Sequence, residues 1–374
     1  MNLLLLTTFS EVIGYIGYIL LAILVLLVMI TIHELGHYLA GKIFGFRIDE
    51  FAIGFGPKIF KKVKADGEVI SIRLLPIGGF CAFHGEDQDE KDGDAFNNKP
   101  PWQRIIVLIA GALMNYLLAL TIIATAFGIY GRTALVTYYV DGPTIEYAKE
   151  FSFAEKDVIV KADGKNVYLT TDLMKAISSK DKGETVDFTV IRDGKTQTVK
   201  VTLRGDTNFK NVEDMEKLYT ALGISFDKNA DGTLSNTGLY STSIKLGFFQ
   251  TIGTSFEYSF KLAGSIFEIL GQLITGSLGI SSMGGTITTV SVTANAIKTG
   301  GLRNLLAISS LIGVNLAVFN LLPFPALDGS RVVFTAIEWI FKKPVNRRVE
   351  GIIHTVGLVL LMIFAVFVDL QRCF

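Results

Sequence analysis

The segment His33-Glu34-Leu35-Gly36-His37 has the residue types and the spacing for metal chemistry. Histidines at i and i+4 lie one turn apart on one face of a helix, so both imidazoles can bind a single metal ion. Glu34 lies beside the same pocket and can act as the general base on a metal-activated water. Ionisable groups at the end of an apolar helix are costly and usually functional. The segment therefore predicts a catalytic metal site rather than two surface histidines.

A catalytic zinc takes three protein ligands and keeps one position open, so a third ligand must come from elsewhere in the chain. Asp328 is the favoured candidate, because two prolines break the preceding helix and leave this aspartate on irregular backbone at the end of an apolar span. His84, His354 and Cys81 are the alternatives.

Three asparagines lie inside apolar spans: Asn115, Asn315 and Asn320. Amides in such positions either join helices by hydrogen bonds or contact the backbone of a substrate. We expect the second role, and the first is the alternative.

Long apolar stretches must position these residues. Of the 374 residues, 50% are hydrophobic and only 19% are charged, which argues against a soluble or a disordered protein. Four stretches approach the roughly 20 apolar residues that a membrane span needs: 12–32, 105–130, 304–327 and 351–368. The first lacks the basic start and cleavage site of a signal peptide, so we interpret it as a retained span.

The distribution of charge predicts the orientation of these spans. Lys and Arg are absent from residues 1–11, whereas the loop 41–103 holds nine. The excess places that loop in the cytoplasm and segment 131–300 outside. Lys+Arg and Asp+Glu both total 35, so no basic field favours nucleic acid. Two cysteines are too few for a disulfide framework.

The loops between the spans predict β-structure and further helices. Residues 47–83 alternate like a hairpin that turns at 66–67, and the segment 131–240 predicts a small, soluble β-rich outer domain with a short helix over 171–179. Helical spacing over 243–275 predicts an amphipathic helix in the outer interface, with a fifth span as the alternative. Residues 276–300 give no clear pattern.

Together these residues resemble the site-2 protease family of intramembrane zinc metalloproteases, in particular the bacterial regulator of sigma-E protease type with a PDZ domain. The resemblance is carried by His-Glu-x-x-His in the first span and by Asn320-x-x-Pro-x-Pro-x-Leu-Asp328-Gly329 in the third. Gly54-Phe-Gly-Pro57 and Pro76-x-Gly-Gly-Phe80 add to it. The presumed PDZ start, 141–146, departs from the family because it lacks a carboxylate-binding loop.

The resemblance implies one zinc per chain, bound by His33, His37 and Asp328, with Glu34 as the base. It implies that Asn315 and Asn320 contact the substrate; Asn115 joins them as a candidate.

The expected fold is a polytopic α-helical membrane protein of about four transmembrane helices with a cytoplasmic-side β-region and an inserted extracytoplasmic PDZ-like domain. The expected divisions are 1–46 (first span), 47–103 (β-region and cytoplasmic loop), 104–130 (second span), 131–205 (PDZ-like domain), 206–300 (extracytoplasmic connection) and 301–374 (last two spans).

The expected activity is regulated intramembrane proteolysis at a bacterial plasma membrane, with the active site near the cytoplasmic face. The expected partners are the lipid bilayer and single-pass membrane proteins or remnant signal peptides, with anti-sigma factors and peptide pheromone precursors as examples. The resemblance allows for a prior cleavage by a site-1 type protease, after which the outer domain would select substrates by size. A transporter with broken helices and an inactive membrane scaffold are the rival functions.

Overall fold

The computed structural model describes residues 2–86, 93–138, 153–209, 214–224, 226–228, 234–235, 238–279 and 283–371. The expected PDZ start at 141–146 lies outside these residues. Two compact units are present. Unit 1 comprises Met1–Ala126 and Phe249–Phe374, and unit 2 is the intervening Phe127–Phe248.

Unit 1 is built on long apolar helices. They are α1 (Asn2–Ile43), α2 (Pro101–Tyr130), α5 (Phe248–Ile274), α6 (Thr286–Leu321), α7 (Asp328–Phe341) and α8 (Arg347–Gln371), with α3 and α4 belonging to unit 2. Four of the described helices are long and apolar enough to cross a membrane: α1 from Glu11, α2, α6 and α8. The prediction of about four spans is confirmed, and the chain is a multi-pass membrane protein.

The third span ends earlier than predicted. The sequence analysis extended it to residue 327, whereas α6 ends at Leu321 and Leu322 is extended, with ψ 143°. Pro323 disfavours helical backbone in the residue before it, which explains the early end. Asp328 was expected on irregular backbone and is instead the first residue of α7, a helix that the sequence analysis missed.

Helix α6 begins well before the apolar stretch that was predicted to start at residue 304. It begins at Thr286, inside the segment 276–300 that was left unassigned, and it contains a kink at Gly301 (φ 54°, ψ −137°). Asp369 of α8 caps this start, because its carboxylate accepts hydrogen bonds from the backbone N–H groups of Ile287 and Thr288 at 3.0 Å. The apolar signal of 304–321 therefore covers only the second half of the helix.

The predicted hairpin between the first two spans is present as β1 (Ile48–Val63) and β2 (Val69–Phe83). Its strands bend, so residues 48–53 pair with 79–83, residues 50–53 also pair with 69–72, and residues 58–63 pair with 69–73. Gly54 (φ +86°) and Gly78 (φ +92°) lie at the bends and supply the left-handed backbone. The result places segment 79–83 at one edge of a curled sheet.

A partly buried carboxylate, that of Glu50, joins the strands of this sheet. Glu50 accepts hydrogen bonds from Ser71 at 2.6 Å and from Lys58 and Arg73 at 2.9 Å. Burial opposes ionisation, but these hydrogen bonds prevail and lower the pKa of Glu50 to about 2.

Unit 2 is an antiparallel sheet with two short helices. Its strands are β3 (Arg132–Thr137), β4 (Val158–Ala162), β5 (Lys165–Asn166), β6 (Thr185–Arg192), β7 (Lys195–Thr202) and β10 (Leu239–Ile244), in the order β10-β3-β4-β6-β7 with β5 beside β4. A further pair is β8 (Asp227–Lys228) and β9 (Leu234–Ser235). Helix α3 (Thr170–Ile177) and the hairpin β6–β7 match the sequence-based predictions.

The core of unit 2 extends beyond 131–205, the segment expected to be PDZ-like, and includes later residues of the outer domain predicted over 131–240. Helix α4 (Met215–Leu222) contributes Leu218 and Leu222 to the same hydrophobic cluster as Ile159 and Phe188. Strand β10 then pairs with β3 along its whole length. The compact unit therefore reaches Phe248 because both its core and its sheet need residues after 205.

Helix α5 lies in the segment expected to be amphipathic. It is not among the four described helices that are long and apolar enough to cross a membrane. Its polar stripe includes Ser259, whose hydroxyl lies 2.7 Å from the Tyr116 hydroxyl of α2, and Ile266 packs in one cluster with Ala119 and Val314. Helix α5 thus packs against α2 and α6.

Candidate metal centre

The two histidines of the His-Glu-x-x-His segment lie within α1 and face the same direction. His33 and His37 are 8% and 7% exposed, and their rings meet edge to face with centroids 4.7 Å apart. Their Nε2 atoms are 3.1 Å apart. One helical turn between them is what brings the two atoms together.

Asp328 joins the two histidines from a part of the chain 295 residues away. Its Oδ2 lies 3.0 Å from Nε2 of His33 and 3.3 Å from Nε2 of His37. This aspartate opens α7, and the preceding segment contains Ala326 with a left-handed φ of +76°. The break at the prolines therefore turns the chain so that the carboxylate reaches α1.

Helix α2 holds the outward-facing nitrogens of both histidines. Nδ1 of His37 lies 2.8 Å from the carbonyl oxygen of Val107, so it donates its hydrogen there and leaves Nε2 as an acceptor. Nδ1 of His33 lies 3.4 Å from the amide of Asn115, which is fully buried. Asn115 therefore lies behind His33, on the side away from Asp328.

Two glycines allow α1 and α2 to approach at this point. A Cβ atom on Gly111 would lie 2.7 Å from Cε1 of His37 and 2.8 Å from Cε1 of His33. A Cβ atom on Gly36 would lie 2.8 Å from the carbonyl carbon of Ala110. Small residues let membrane helices come close, and here they make the space for the imidazoles.

Glu34 lies between the histidines and the curled sheet. Its carboxylate accepts a hydrogen bond from the backbone N–H of Cys81 in β2. It also interacts electrostatically with His33, His37 and Asp328. A Cβ atom on Gly79 would be 3.4 Å from Cγ of Glu34. The edge segment 79–83 therefore borders the group that was predicted to be the base.

The other candidate ligands lie apart from this cluster. Among the described residues, the group that could hold a metal ion is His33, His37 and Asp328. Nδ1 of His84 faces Asp49 at 3.1 Å, and Nδ1 of His354 accepts the N–H of Ala326. Burial raises the pKa of the Cys81 thiol, so it stays protonated at neutral pH.

Asn315 and Asn320 are half-buried on the last turns of α6. They are outside the ligand cluster, whereas Asn115 touches it. The structure thus separates the three asparagines into one beside a histidine and two on the helix that leads to Asp328.

The donor set fits zinc. Histidine nitrogens and a carboxylate oxygen bind zinc at about 2.0–2.1 Å in tetrahedral sites, where neighbouring ligand atoms lie about 3.3–3.4 Å apart. The three atoms here are separated by 3.0–3.3 Å. Oδ1 of Asn115 is buried without a hydrogen-bond partner. A half-turn of the amide would point Oδ1 at Nδ1 of His33, and zinc-binding histidines donate that hydrogen to just such an acceptor.

A network of buried ion pairs joins the helices around Asp328. Glu338 of α7 pairs with Arg104 of α2 at 2.8 Å and with Arg347 of α8 at 2.6 Å. Burial raises the pKa of Glu338, but hydrogen bonds from the Val345 N–H, Arg347 and Arg104 outweigh it and lower the pKa below its usual range. These pairs fix α7, and with it the aspartate at its first residue.

Three features of the site were not predicted from the sequence: Gly111, the Val107 carbonyl and the ion pairs of Glu338. A glycine four residues before Asn115 in an apolar span is a signal for close helix packing, and it could have identified Gly111. A backbone carbonyl carries no signal of residue type. The ion pairs join helices distant in sequence, so local spacing does not reveal them.

Comparisons with known proteins find relatives over nearly the whole chain. The model of peptidase family M50 matches residues 21–364. A candidate zinc metalloprotease of Clostridium perfringens is 33% identical over 349 residues, which cover 92% of this chain and 94% of that protein. The regulator of sigma-W protease RasP of Bacillus subtilis is 28% identical over 433 aligned residues, which cover 92% and 96%. The zinc metalloprotease RasP of Bacillus licheniformis is 28% identical, with 92% and 97% covered.

Proposed function

Since the chain belongs to peptidase family M50, the site-2 proteases, and is an intramembrane zinc metalloprotease, we propose that His33, His37 and Asp328 bind one zinc per chain and that Glu34 is the catalytic base. The observation that carries this proposal is the meeting of three ligand atoms within 3.0–3.3 Å from α1 and α7. Family membership also favours the protease over the transporter and the scaffold.

Bound zinc supplies Lewis-acid chemistry, which activates water and polarises the scissile carbonyl. Glu34 accepts the proton of the attacking water at a carboxylate oxygen and later passes it to the leaving amine. The Val107 carbonyl keeps the hydrogen of His37 on Nδ1, so Nε2 presents its lone pair toward the ligand cluster. Asn115 is buried behind His33, so we propose that it orients this ring rather than contacting substrate.

The substrate must unwind before its backbone can be cut, because helical carbonyls are hydrogen-bonded. The edge segment 79–83 of the curled sheet borders Glu34, and an extended strand can add to such an edge. Asn315 and Asn320, on the last turns of α6, are proposed to contact the same extended backbone.

The proposed orientation follows the positive charge of the loops, with the loop 41–103 in the cytoplasm and unit 2 outside. Unit 2 is proposed to be a PDZ-like domain, and its antiparallel sheet with two short helices supports that interpretation.

The name of the Bacillus subtilis relative, a regulator of sigma-W, supports membrane-anchored anti-sigma factors as a substrate class, alongside remnant signal peptides. An upstream cleavage by a site-1 type protease belongs to the same proposal.

Zinc content and cleavage, measured together, test the assignment. Detergent-purified wild type, H33A, H37A, D328A and E34Q would be analysed for zinc and for cleavage of a single-span reporter. His84→Ala is the matched control, because His84 bonds Asp49 outside the cluster. We expect about one zinc per chain in wild type, H84A and E34Q, a loss of zinc in the three ligand variants, and cleavage by E34Q that is at least about 100-fold slower than by wild type. Zinc retained in D328A would refute the ligand set, and cleavage by E34Q at a rate near that of wild type would refute the base.

A further inference from the structure

The segment that carries Asp328 to the histidines has few hydrogen bonds of its own. Pro323 and Pro325 have no N–H groups. The N–H of Leu322 donates to a carbonyl of α6 at 3.0 Å, and the N–H groups of Phe324 and Leu327 donate to carbonyls of the turn itself at 2.7 and 3.1 Å. The N–H of Ala326 instead donates to Nδ1 of His354, at 3.1 Å. The backbone of this turn is therefore completed by a side chain from α8.

The residue bonded by His354 has a costly conformation. Ala326 has φ +76°, a left-handed value that a residue with a Cβ atom adopts only when its surroundings enforce it. Two residues later the chain reaches Asp328, so a change of backbone angle at Ala326 moves the carboxylate. The ligand geometry thus depends on what holds Ala326.

Helix α8 holds the turn at two adjacent points. One helical turn beyond His354, a Cβ atom on Gly357 would lie 2.9 Å from the carbonyl carbon of Pro325, so helix and turn are in close contact there. The imidazole of His354 is only 14% exposed and also meets the ring of Phe334 of α7 with centroids 5.8 Å apart. It lines the same cavity of about 500 Å³ as Asp328. The side chain is thus held between the turn and α7.

We propose that His354 is a positioning residue for the metal centre. Its Nδ1 accepts the Ala326 N–H, stabilises the left-handed turn and thereby sets the carboxylate of Asp328 against the two histidines. The role requires an acceptor at Nδ1, with the hydrogen of the neutral ring on Nε2. This inference rests on the proposed function, because it takes Asp328 as a zinc ligand.

Two substitutions separate the acceptor from the bulk of the side chain. H354L removes the acceptor and keeps an apolar side chain against Phe334, whereas H354N places an amide oxygen close to the position of Nδ1. T355V is the matched control, because Thr355 lines the same cavity on the same helix and bonds Gly351 of its own helix. All variants would be made in the full chain in detergent.

Zinc affinity, measured by competition with a chromogenic chelator, is the first readout. We expect H354L to bind zinc about 10–100-fold more weakly, as for other residues that orient a ligand, and H354N and T355V to stay within about threefold of wild type. Affinity in H354L equal to that of wild type would overturn the inference. So would equal losses in H354L and H354N, because the acceptor would then not matter.

Hydrogen exchange of the zinc-free protein is the second readout, and it does not depend on metal. The Ala326 amide should exchange faster in H354L and should remain protected in H354N. If the wild type binds no zinc, the proposed metal site is refuted. The exchange rate of the Ala326 amide then tests by itself whether His354 stabilises the turn. Equal exchange of Ala326 in wild type and H354L would refute the role of His354.

Discussion

Gly111→Ala adds one methyl group at the crossing of α1 and α2, where no space is left for it. The new Cβ atom would lie 2.7 Å from Cε1 of His37 and 2.8 Å from Cε1 of His33. Ordinary contact begins near 3.4 Å, so the rings or the helix must recede by about 0.7 Å to relieve the contact with Cε1 of His37, and further to relieve the contact with Nε2 of His37, which is the nearest atom. Metal sites tolerate deviations of about 0.2 Å in ligand distances. The required movement is therefore more than three times that tolerance.

The substitution has two opposite effects on the stability of the protein. Alanine is favoured over glycine inside a helix by about 1 kcal/mol, so propensity alone would stabilise α2. Overpacking a well-packed site costs about 1–3 kcal/mol. We therefore expect little net change in thermal stability of the zinc-free protein, together with zinc affinity lowered by about 100-fold. Cleavage should fall at least as far, because a misplacement near 1 Å can cost about 100-fold in rate.

Gly128→Ala is the matched control on the same helix. Nothing lies within 4 Å of a Cβ atom there, so it has the gain in propensity without the clash. The assay is competition for zinc against a chelator, followed by cleavage of a single-span reporter at saturating zinc. Wild-type zinc affinity and cleavage in G111A would refute the reasoning, because α2 would then not set the space for the imidazoles.

Three further outcomes are expected. E34Q should keep its zinc and lose at least about 100-fold in cleavage rate, since proton transfer by a positioned group contributes about 10²–10⁴-fold; single-turnover cleavage by zinc-loaded protein measures it. E338L should lower the free energy of unfolding by about 3–5 kcal/mol, because it leaves buried Arg104 uncompensated; reversible unfolding in mixed micelles measures it, and the double variant R104M/E338L should recover part of the loss. The pKa of Glu50 is lowered from 4.5 to about 2, so its stabilising contribution is complete above pH 4.5 and disappears as the pH falls toward 2. Unfolding of E50Q should therefore depend less on pH across that window, and an unchanged dependence would contradict the assignment.

The apolar spans could be predicted from sequence because the bilayer demands long uncharged helices. The meeting of His33 and His37 could be predicted because both lie on one helix, one turn apart. The predicted end of the third span was six residues too late. The prediction followed apolar character and gave too little weight to the effect of Pro323 on the preceding residue. Helix α7 was missed because its first turn contains Gly329 and Ser330, which resemble a loop.

The remainder of the site could not be predicted because it depends on contacts between distant segments. The hydrogen bond from His37 goes to a carbonyl 70 residues away, and Ala326 is bonded by a side chain 28 residues away. The curled sheet shows the same principle. Alternation predicted its two strands, whereas the second pairing of residues 50–53 arises from bends that bring strand segments together in space.

The separation of the ligands along the chain has a consequence for how the enzyme is made. The two histidines proposed as ligands are synthesised early, and the proposed third ligand follows 295 residues later. At translation speeds of about 5–20 residues per second, the interval is about 15–60 s. During this time the first two spans can enter the membrane, but the nascent chain lacks Asp328. Under the proposed ligand set, the protease therefore stays inactive while its first spans are being inserted.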